Sequence, residues 1–241
     1  MLHLLSIPNP FGGQVWHIAH TTSTMDETAQ LCEAHPGQDL SGSLVLTDYQ
    51  SRGRGRFAER SWQAAVGESL LFTILVKPVT SFPLSLSLAL GICHFLEANG
   101  LSAQVKWPND VLLEGHKVCG ILVSGTQRLM HCGIGLNLRT PDFQPLPGKR
   151  QATSLAAHGI SLEPGMALEQ LLPFLHTAVA ESPHQQHAAL EQRLWQRDQW
   201  TEMVSGGSDG SLIQGWVRGL APDGALLLEN DQGIQKMYSG E

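Results

Sequence analysis

The sequence predicts a fold of the mixed helix-and-strand class, with one large domain over residues 1–204 and a small all-β unit over residues 205–241. Three observations predict it. Leu84–Ala98 is apolar almost all round and runs into Asn99-Gly100, which marks a buried helix with a left-handed stop. Residues 44–49, 69–76, 103–107, 118–124 and 129–138 are apolar runs of strand-like composition bounded by turn residues. Beyond Gly206-Gly207-Ser208 the chain changes character, to short alternating runs at residues 212–217, 225–228 and 234–237. Asp223-Gly224 and Asp231-Gln232-Gly233 separate these runs, giving a β-meander too short to stand alone and therefore docked on the larger domain.

Taken in order, the chain starts loop-like. Thr21-Thr22-Ser23-Thr24-Met25-Asp26-Glu27 then reads as a helix N-terminus, with Thr24 and Glu27 spaced as a capping box and Asp26 adding negative charge to the first turn. This helix carries Leu31 and Ala34 and ends near Pro36-Gly37. The strand at 69–76 is stopped by Pro78, and Glu114-Gly115-His116 reads as a hairpin turn between two strands. Gly133 and Gly135 interrupt a strand pattern, a sign of close backbone approach to a ligand or a neighbouring strand. A proline-rich loop over 141–148 is followed by helical patterns at 154–158, 166–180 and 184–200, with Trp195 and Trp200 read as helix packing.

Composition excludes several function classes. The formal net charge of −7 over 241 residues argues against bulk nucleic-acid binding. No apolar stretch reaches membrane-spanning length, and residues 1–16 lack the pattern of a signal peptide. Four cysteines without CxxC spacing read as buried, reduced thiols of a cytoplasmic protein. The eleven histidines form no tight ligand pair beyond His184 and His187, so no metal site is expected.

Two clusters carry chemistry. Arg52-Gly53-Arg54-Gly55-Arg56 has no apolar face; its glycines permit close approach and its guanidinium groups suit carboxylate and phosphate. By itself it reads first as a solvated basic turn, and the second cluster downstream shifts that reading. The second cluster, Lys106-Trp107-Pro108-Asn109-Asp110, is followed by Lys117 and Gly120. Cations gathered around one carboxylate suit a reaction that brings two anions together, such as activation of a carboxylic acid by ATP. Against this, strand lysines commonly snorkel from an edge, Asn109-Asp110 fits a turn, and Trp62 fits loop packing.

These residues resemble the biotin–protein ligases. The resemblance rests on Ser23-Thr24, on Gly53-Arg54-Gly55-Arg56 with Trp62 shortly after, on Lys106-Trp107-Pro108-Asn109-Asp110, on Lys117-Val118-Cys119-Gly120-Ile121-Leu122 and on Gly133-Ile134-Gly135-Leu136-Asn137. It runs from about residue 15 to about residue 160, and the last residues look like the small SH3-like barrel that ends these enzymes. It implies an α+β catalytic domain with a mixed sheet, related to lipoate ligases and class II aminoacyl-tRNA synthetases. It also implies two half-reactions: biotin and ATP form biotinyl-5′-AMP, and a lysine of a biotin carboxyl carrier protein, an acetyl-CoA carboxylase subunit, then attacks it. Magnesium accompanies the ATP. A monomer or homodimer is implied, and the roughly twenty residues before Ser23 leave no room for a DNA-binding module, so no DNA partner is expected.

Carried over by resemblance, the catalytic residues are Lys117, Arg54, Arg56, Asp110 and Lys106. Biotin is held by Ser23, Thr24, Met25, Gln50, Gly53, Arg54, Arg56, Lys117, Gly120 and Gly135, and ATP by Arg54, Arg56, Trp62, Asn109 and Asn137. Met25 stands where the family usually has Asn, Ser69 where Asn is usual, Cys119 where alanine is usual, and Phe57-Ala58-Glu59-Arg60-Ser61 is longer than the common loop. The rival readings are a lipoate or octanoate ligase or transferase on the same scaffold, an RGG-like nucleic-acid element, and a catalytically dead biotin sensor.

Overall fold

The computed structural model describes residues 1–56, 61–78, 81–126, 128–140, 143, 151–204 and 211–240. Phe57-Ala58-Glu59-Arg60, nearly all of the 141–148 loop and Gly206-Gly207-Ser208 lie outside these residues.

An eight-stranded sheet organises the large domain. Its strands are β1 (His3–Leu5), β2 (Val15–Thr21), β3 (Leu44–Gln50), β6 (Ser69–Val76), β7 (Ala103–Lys106), β8 (Asp110–Leu113), β9 (His116–Thr126) and β10 (Leu129–Asn137). The spatial order is β1-β2-β3-β6-β10-β9-β8-β7. Every pairing is antiparallel except β2 with β3. That parallel pair needs a crossover, and α1 (Thr24–Ala34) supplies it. β4 (Gly53–Arg54) and β5 (Ser61–Trp62) form a separate short hairpin from the Arg-Gly loop.

Helices cover both faces of the sheet. On one face α1 packs Leu31 against Val45 and Leu75. On the other lie α2 (Leu84–Ala98), α3 (Pro164–Ala180) and α4 (Pro183–Glu191), packed on Leu44, Leu46, Leu70, Phe72 and Ile74. The period of two along a strand divides the residues this way: even positions of β6 enter the main core and odd positions face α1. Ten residues of α2 are buried, each large one stabilising the fold by about 1.5–3 kcal/mol. A Cβ at Gly91 would stand 2.9 Å from Leu175 Cα, so only glycine allows this contact between α2 and α3.

The small unit is a four-stranded antiparallel sheet of β11 (Trp200–Val204), β12 (Leu212–Leu220), β13 (Leu226–Asn230) and β14 (Gly233–Met237). It docks on α4, where Glu191 accepts from the Leu220 amide and His187 Nε2 lies 2.8 Å from the Leu220 carbonyl.

Four details depart from the sequence reading. The loop-like start contains β1 and β2; the histidines of His17-Ile18-Ala19-His20 hide a strand held by its parallel partner. The last helix stops at Glu191 because the chain turns to bridge β7 at Leu194, with Val105 N donating to Arg193 O and Trp195 N to Val105 O, and Gln196 and Asp198 at positive φ keep it from resuming. Trp200 therefore opens a strand, half-exposed and edge-to-face with Trp216, and β11 joins the small sheet from before the expected 204/205 boundary. Lastly, the α1 cap is Ser23, not Thr24; the Ser23 hydroxyl accepts from Met25 N, and Glu27 accepts from the Thr21 hydroxyl.

Candidate active site

Glycine in the central strands opens a cavity of about 440 Å³ on the α1 face of the large sheet. One rung of the sheet forms its floor. Lys106, Asp110, Gly120, Gly135 and Leu71 are successive register partners across β7, β8, β9, β10 and β6. All five line the cavity. Partners in register share a face, so the rung presents a cation, a carboxylate, two bare backbone positions and an apolar end, in that order. The same strands send Cys119, Ile121, Ile134 and Leu136 the other way, into the core.

Lys117 reaches this face because of a β-bulge. Asp110 pairs with Gly120 and Val111 with Cys119, but Leu112 pairs with Lys117, leaving Val118 as the extra residue. Without it Lys117 would share the core-facing side with Cys119 and Ile121. Such a bulge re-aims a side chain. Lys117 Nζ stands 2.7 Å from Asp110 Oδ1, and its side chain is 30% exposed. The strand is interior, which removes the edge-snorkel reading of this lysine.

The polar end is built by the start of α1. Gln50 Oε1 accepts from Thr24 N at 2.8 Å and from Thr24 Oγ1 at 3.2 Å, and Thr24 Oγ1 is 2.8 Å from Thr73 Oγ1. Ser23, Thr24 and Met25 are all buried, and a Cβ on Gly133 would stand 2.9 Å from Met25 Sδ. The Arg-Gly hairpin forms the roof. Ser51 N and Arg52 N donate to Thr21 O and Thr22 O, and the Arg54 guanidinium pairs with Asp26 on α1. Arg54, Gly55 and Arg56 face the cavity.

Trp62 lies directly on the glycine floor. A Cβ on Gly135 would be 2.6 Å from its ring, and one on Gly120 would be 2.9 Å away. Lys117 Nζ is 5.6 Å from the ring centroid. Asn109 closes the far wall: its Nδ2 donates to Ile121 O at 2.8 Å and its backbone carbonyl accepts from Ile121 N. The wall continues into Trp107, whose indole N–H donates to Gly224 O at 3.0 Å, and Gly240 of the small unit also lines the cavity.

The structure thus brings together Ser23, Thr24, Met25, Gln50, Arg54, Arg56, Trp62, Lys106, Asn109, Asp110, Lys117, Gly120 and Gly135. Gly53 and Asn137 stand behind the wall. Gly53 is buried where a Cβ would meet Trp62 O at 2.5 Å, so it lets the hairpin close. Asn137 is buried, accepts from Ser69 Oγ at 3.3 Å and donates to Thr153 O at 2.9 Å. It fastens the 151–154 segment to the sheet. The apolar lining residues Leu71, absent from every motif, and Leu122, which ends the Lys117–Leu122 motif, were given no site role, since nothing in the sequence tells the two faces of an apolar strand apart.

Among the lining residues four cations, Arg54, Arg56, Lys106 and Lys117, face one carboxylate, Asp110. In a chain of net charge −7 this is a local positive well, suited to a polyanionic ligand. Cys119 lies beneath the floor, and burial pushes its thiol far above the ordinary range, so it stays protonated and inert. Cys93 and Cys132 are likewise buried and raised, and burial raises half-buried Cys32 as well.

Comparison with known proteins gives the family and the fold. Residues 18–138 match the family described as the biotin/lipoate A/B protein ligase family. This chain belongs to that family. A ligase-family relative from Paracoccus denitrificans, biotin–[acetyl-CoA-carboxylase] ligase, is 31% identical over 93% of this chain and 98% of its own length. The bifunctional ligase/repressor BirA of Bacillus subtilis is 30% identical over 83% of this chain. The match spans 65% of that relative's length. Among solved structures, biotin protein ligase from Aquifex aeolicus in complex with biotin and ATP superposes with a TM-score of 0.78, at 24% identity, over 96% of this chain and 97% of that one. The fold is therefore the biotin protein ligase fold, a large mixed sheet with a C-terminal four-stranded antiparallel sheet.

Proposed function

We propose that the protein is an ATP-dependent biotin–protein ligase, forming biotinyl-5′-AMP and transferring biotin to a lysine of a biotin carboxyl carrier protein such as the acetyl-CoA carboxylase subunit. The observation that carries this reading is the rung Lys106–Asp110–Gly120–Gly135, with Lys117 turned onto it by the bulge. The names of the relatives support biotin as the acid, and the ATP-bound Aquifex structure supports the nucleotide.

The chemistry follows from charge. A biotin carboxylate oxygen attacks the α-phosphorus of ATP, the α–β bridging bond breaks, and pyrophosphate leaves. Both reactants are anions, so the barrier contains their mutual repulsion. Lys117, aimed across the floor, neutralises the carboxylate and then the developing charge on the acyl-phosphate. A preorganised charge of this kind is worth about 3–4 kcal/mol in the transition state. Asp110 holds Lys117 in place. The glycines seat the Trp62 ring flat on the floor, and the acid lies beside it, its ring in the cup of Ser23, Thr24, Met25 and Gln50. Arg54 and Arg56 close over the phosphate, Trp62 and Asn109 border the nucleotide, and Lys106 meets the phosphates. In the second step the carrier amine attacks the acyl carbon and AMP leaves, with Asp110 the nearest carboxylate for the amine's proton.

Magnesium fits as part of the nucleotide substrate. The lining offers one carboxylate, already engaged by Lys117, so the ion would be held mainly by the ATP phosphates, which it neutralises. No helix among the described residues is long and apolar enough to cross a membrane, and a cytoplasmic location fits the unbridged cysteines.

The test is direct. Protein, a biotin carrier domain, Mg-ATP and either biotin, lipoate or octanoate are mixed, and the carrier is weighed by mass spectrometry. A gain of one biotinyl group with biotin alone is expected. A gain with lipoate or octanoate in its place would move the assignment to the sister activity.

A further inference from the structure

The far edge of the large sheet carries a cluster that the ligase reaction does not use. His3 on β1 and His17 on β2 are directly opposed in the antiparallel pair. His17 Nε2 lies 3.0 Å from Asp48 Oδ1 on β3, and His17 Nδ1 lies 3.2 Å from His3 Nε2. The two rings are 4.8 Å apart between centroids, inclined at 71°.

We propose that His3 Nε2 and His17 Nδ1 form a two-imidazole chelate for a divalent transition-metal ion of the Zn²⁺, Ni²⁺ and Cu²⁺ group, with Asp48 as the positioning carboxylate. The tautomer comes first. Asp48 accepts from Nε2–H of neutral His17, which leaves the lone pair on Nδ1, pointing at His3. The distance agrees. Two nitrogens each about 2.0–2.1 Å from one ion, at angles of about 90–110°, stand about 2.9–3.4 Å apart. The direction agrees as well. Rings facing head-on along a single N–H···N bond of this length would have centroids about 5.5 Å apart, whereas rings aimed at one shared ion would have them about 5 Å apart. At 4.8 Å the rings converge on a point beside the line joining the nitrogens.

A carboxylate behind a ligating histidine fixes the ring and raises its basicity, the usual arrangement at metal sites. Among the described residues no set of three or more metal-binding side chains is assembled, so water completes the coordination at the exposed His3 and the site is weaker than a four-ligand structural zinc. Its work is mechanical. β1 is three residues long and pairs only with β2, and an ion joining His3 to His17 clips this edge strand to the sheet. The ligands are fourteen positions apart, which hides the pair from any spacing motif.

Tag-free protein titrated with Zn²⁺ and with Ni²⁺ by calorimetry tests the proposal, with amide hydrogen exchange of residues 3–5 followed in parallel. Wild type should show one binding step that His3→Ala lacks, and Asp48→Asn should weaken that step about 10–100-fold. Exchange at residues 3–5 should slow on metal addition in wild type only, and Mg²⁺, a hard ion, should do nothing. Identical titrations of wild type and His3→Ala would overturn the site, as would metal binding that leaves β1 exchange unchanged. Asp48→Asn binding as tightly as wild type would remove Asp48 from it.

Discussion

The two faces of the central strands are made from the same short stretches of chain, yet one is filled with leucine, isoleucine and phenylalanine and the other is stripped to glycine. On β10, Cys132, Ile134 and Leu136 enter the core beneath α2, while Gly133 and Gly135 floor the cavity. On β9, Cys119 and Ile121 do the first and Gly120 the second. Alternation lets one strand serve stability on one side and ligand chemistry on the other. Substitutions on the two faces should therefore separate cleanly in what they damage.

The largest effect is expected on the packed face. Phe95 is fully buried on α2, edge-to-face with Phe174 of α3. Phe95→Ala should lose about 3–5 kcal/mol of unfolding free energy in a urea titration. Biotin affinity of the fraction that stays folded should be unchanged; a selective loss of affinity would mean the faces are coupled. On the stripped face, Gly135→Ala puts a methyl within 2.6 Å of the Trp62 ring. Overpacking of this kind costs about 1–3 kcal/mol, read here as a roughly ten- to hundredfold weaker ligand and not as lost stability. Calorimetric binding alongside unfolding checks both halves, and equal affinity would show that Trp62 yields without consequence. On the roof the effect is of similar size but falls on retention of the adenylate. Arg56→Gly removes one charge-assisted contact, about 1.5–3 kcal/mol at most, so the adenylate should still form but leave sooner, labelling bystander lysines. Tight retention without stray labelling would take Arg56 out of the roof's function.

Much of this was legible in the sequence, and what was not has a physical cause. Ser69–Val76 and Leu84–Ala98 were bounded correctly because a Pro stop, an Asn-Gly stop and continuous apolar character act locally. The glycines at 133 and 135 announced close approach, and the Arg-Gly loop announced anion chemistry. The bulge at Val118 was invisible, since it exists only in the pairing with β8. So was the rung itself, which depends on the register of five strands. β2 was missed because its histidines mask a strand that a parallel neighbour stabilises, and residues 192–199 looked helical, whereas Leu194 bridges Val105 of β7 and Gln196 and Asp198 turn the chain at positive φ. Asn137 shows the reverse: a motif residue expected at the nucleotide is committed to holding the 151–154 segment.

The central claim is that the bulge places Lys117 on the chemical face, where it serves reaction and not fold. Lys117→Ala measured twice, for adenylate formation by pyrophosphate release and for unfolding by urea, tests it most directly. Adenylate formation should fall by about two to three orders of magnitude. The unfolding free energy should fall by only about 1 kcal/mol, the loss of the part-exposed ion pair with Asp110, and synthetic biotinyl-AMP should partly restore carrier labelling. Adenylate formed at near the wild-type rate, or a mutant that unfolds before its activity can be measured, would contradict the account.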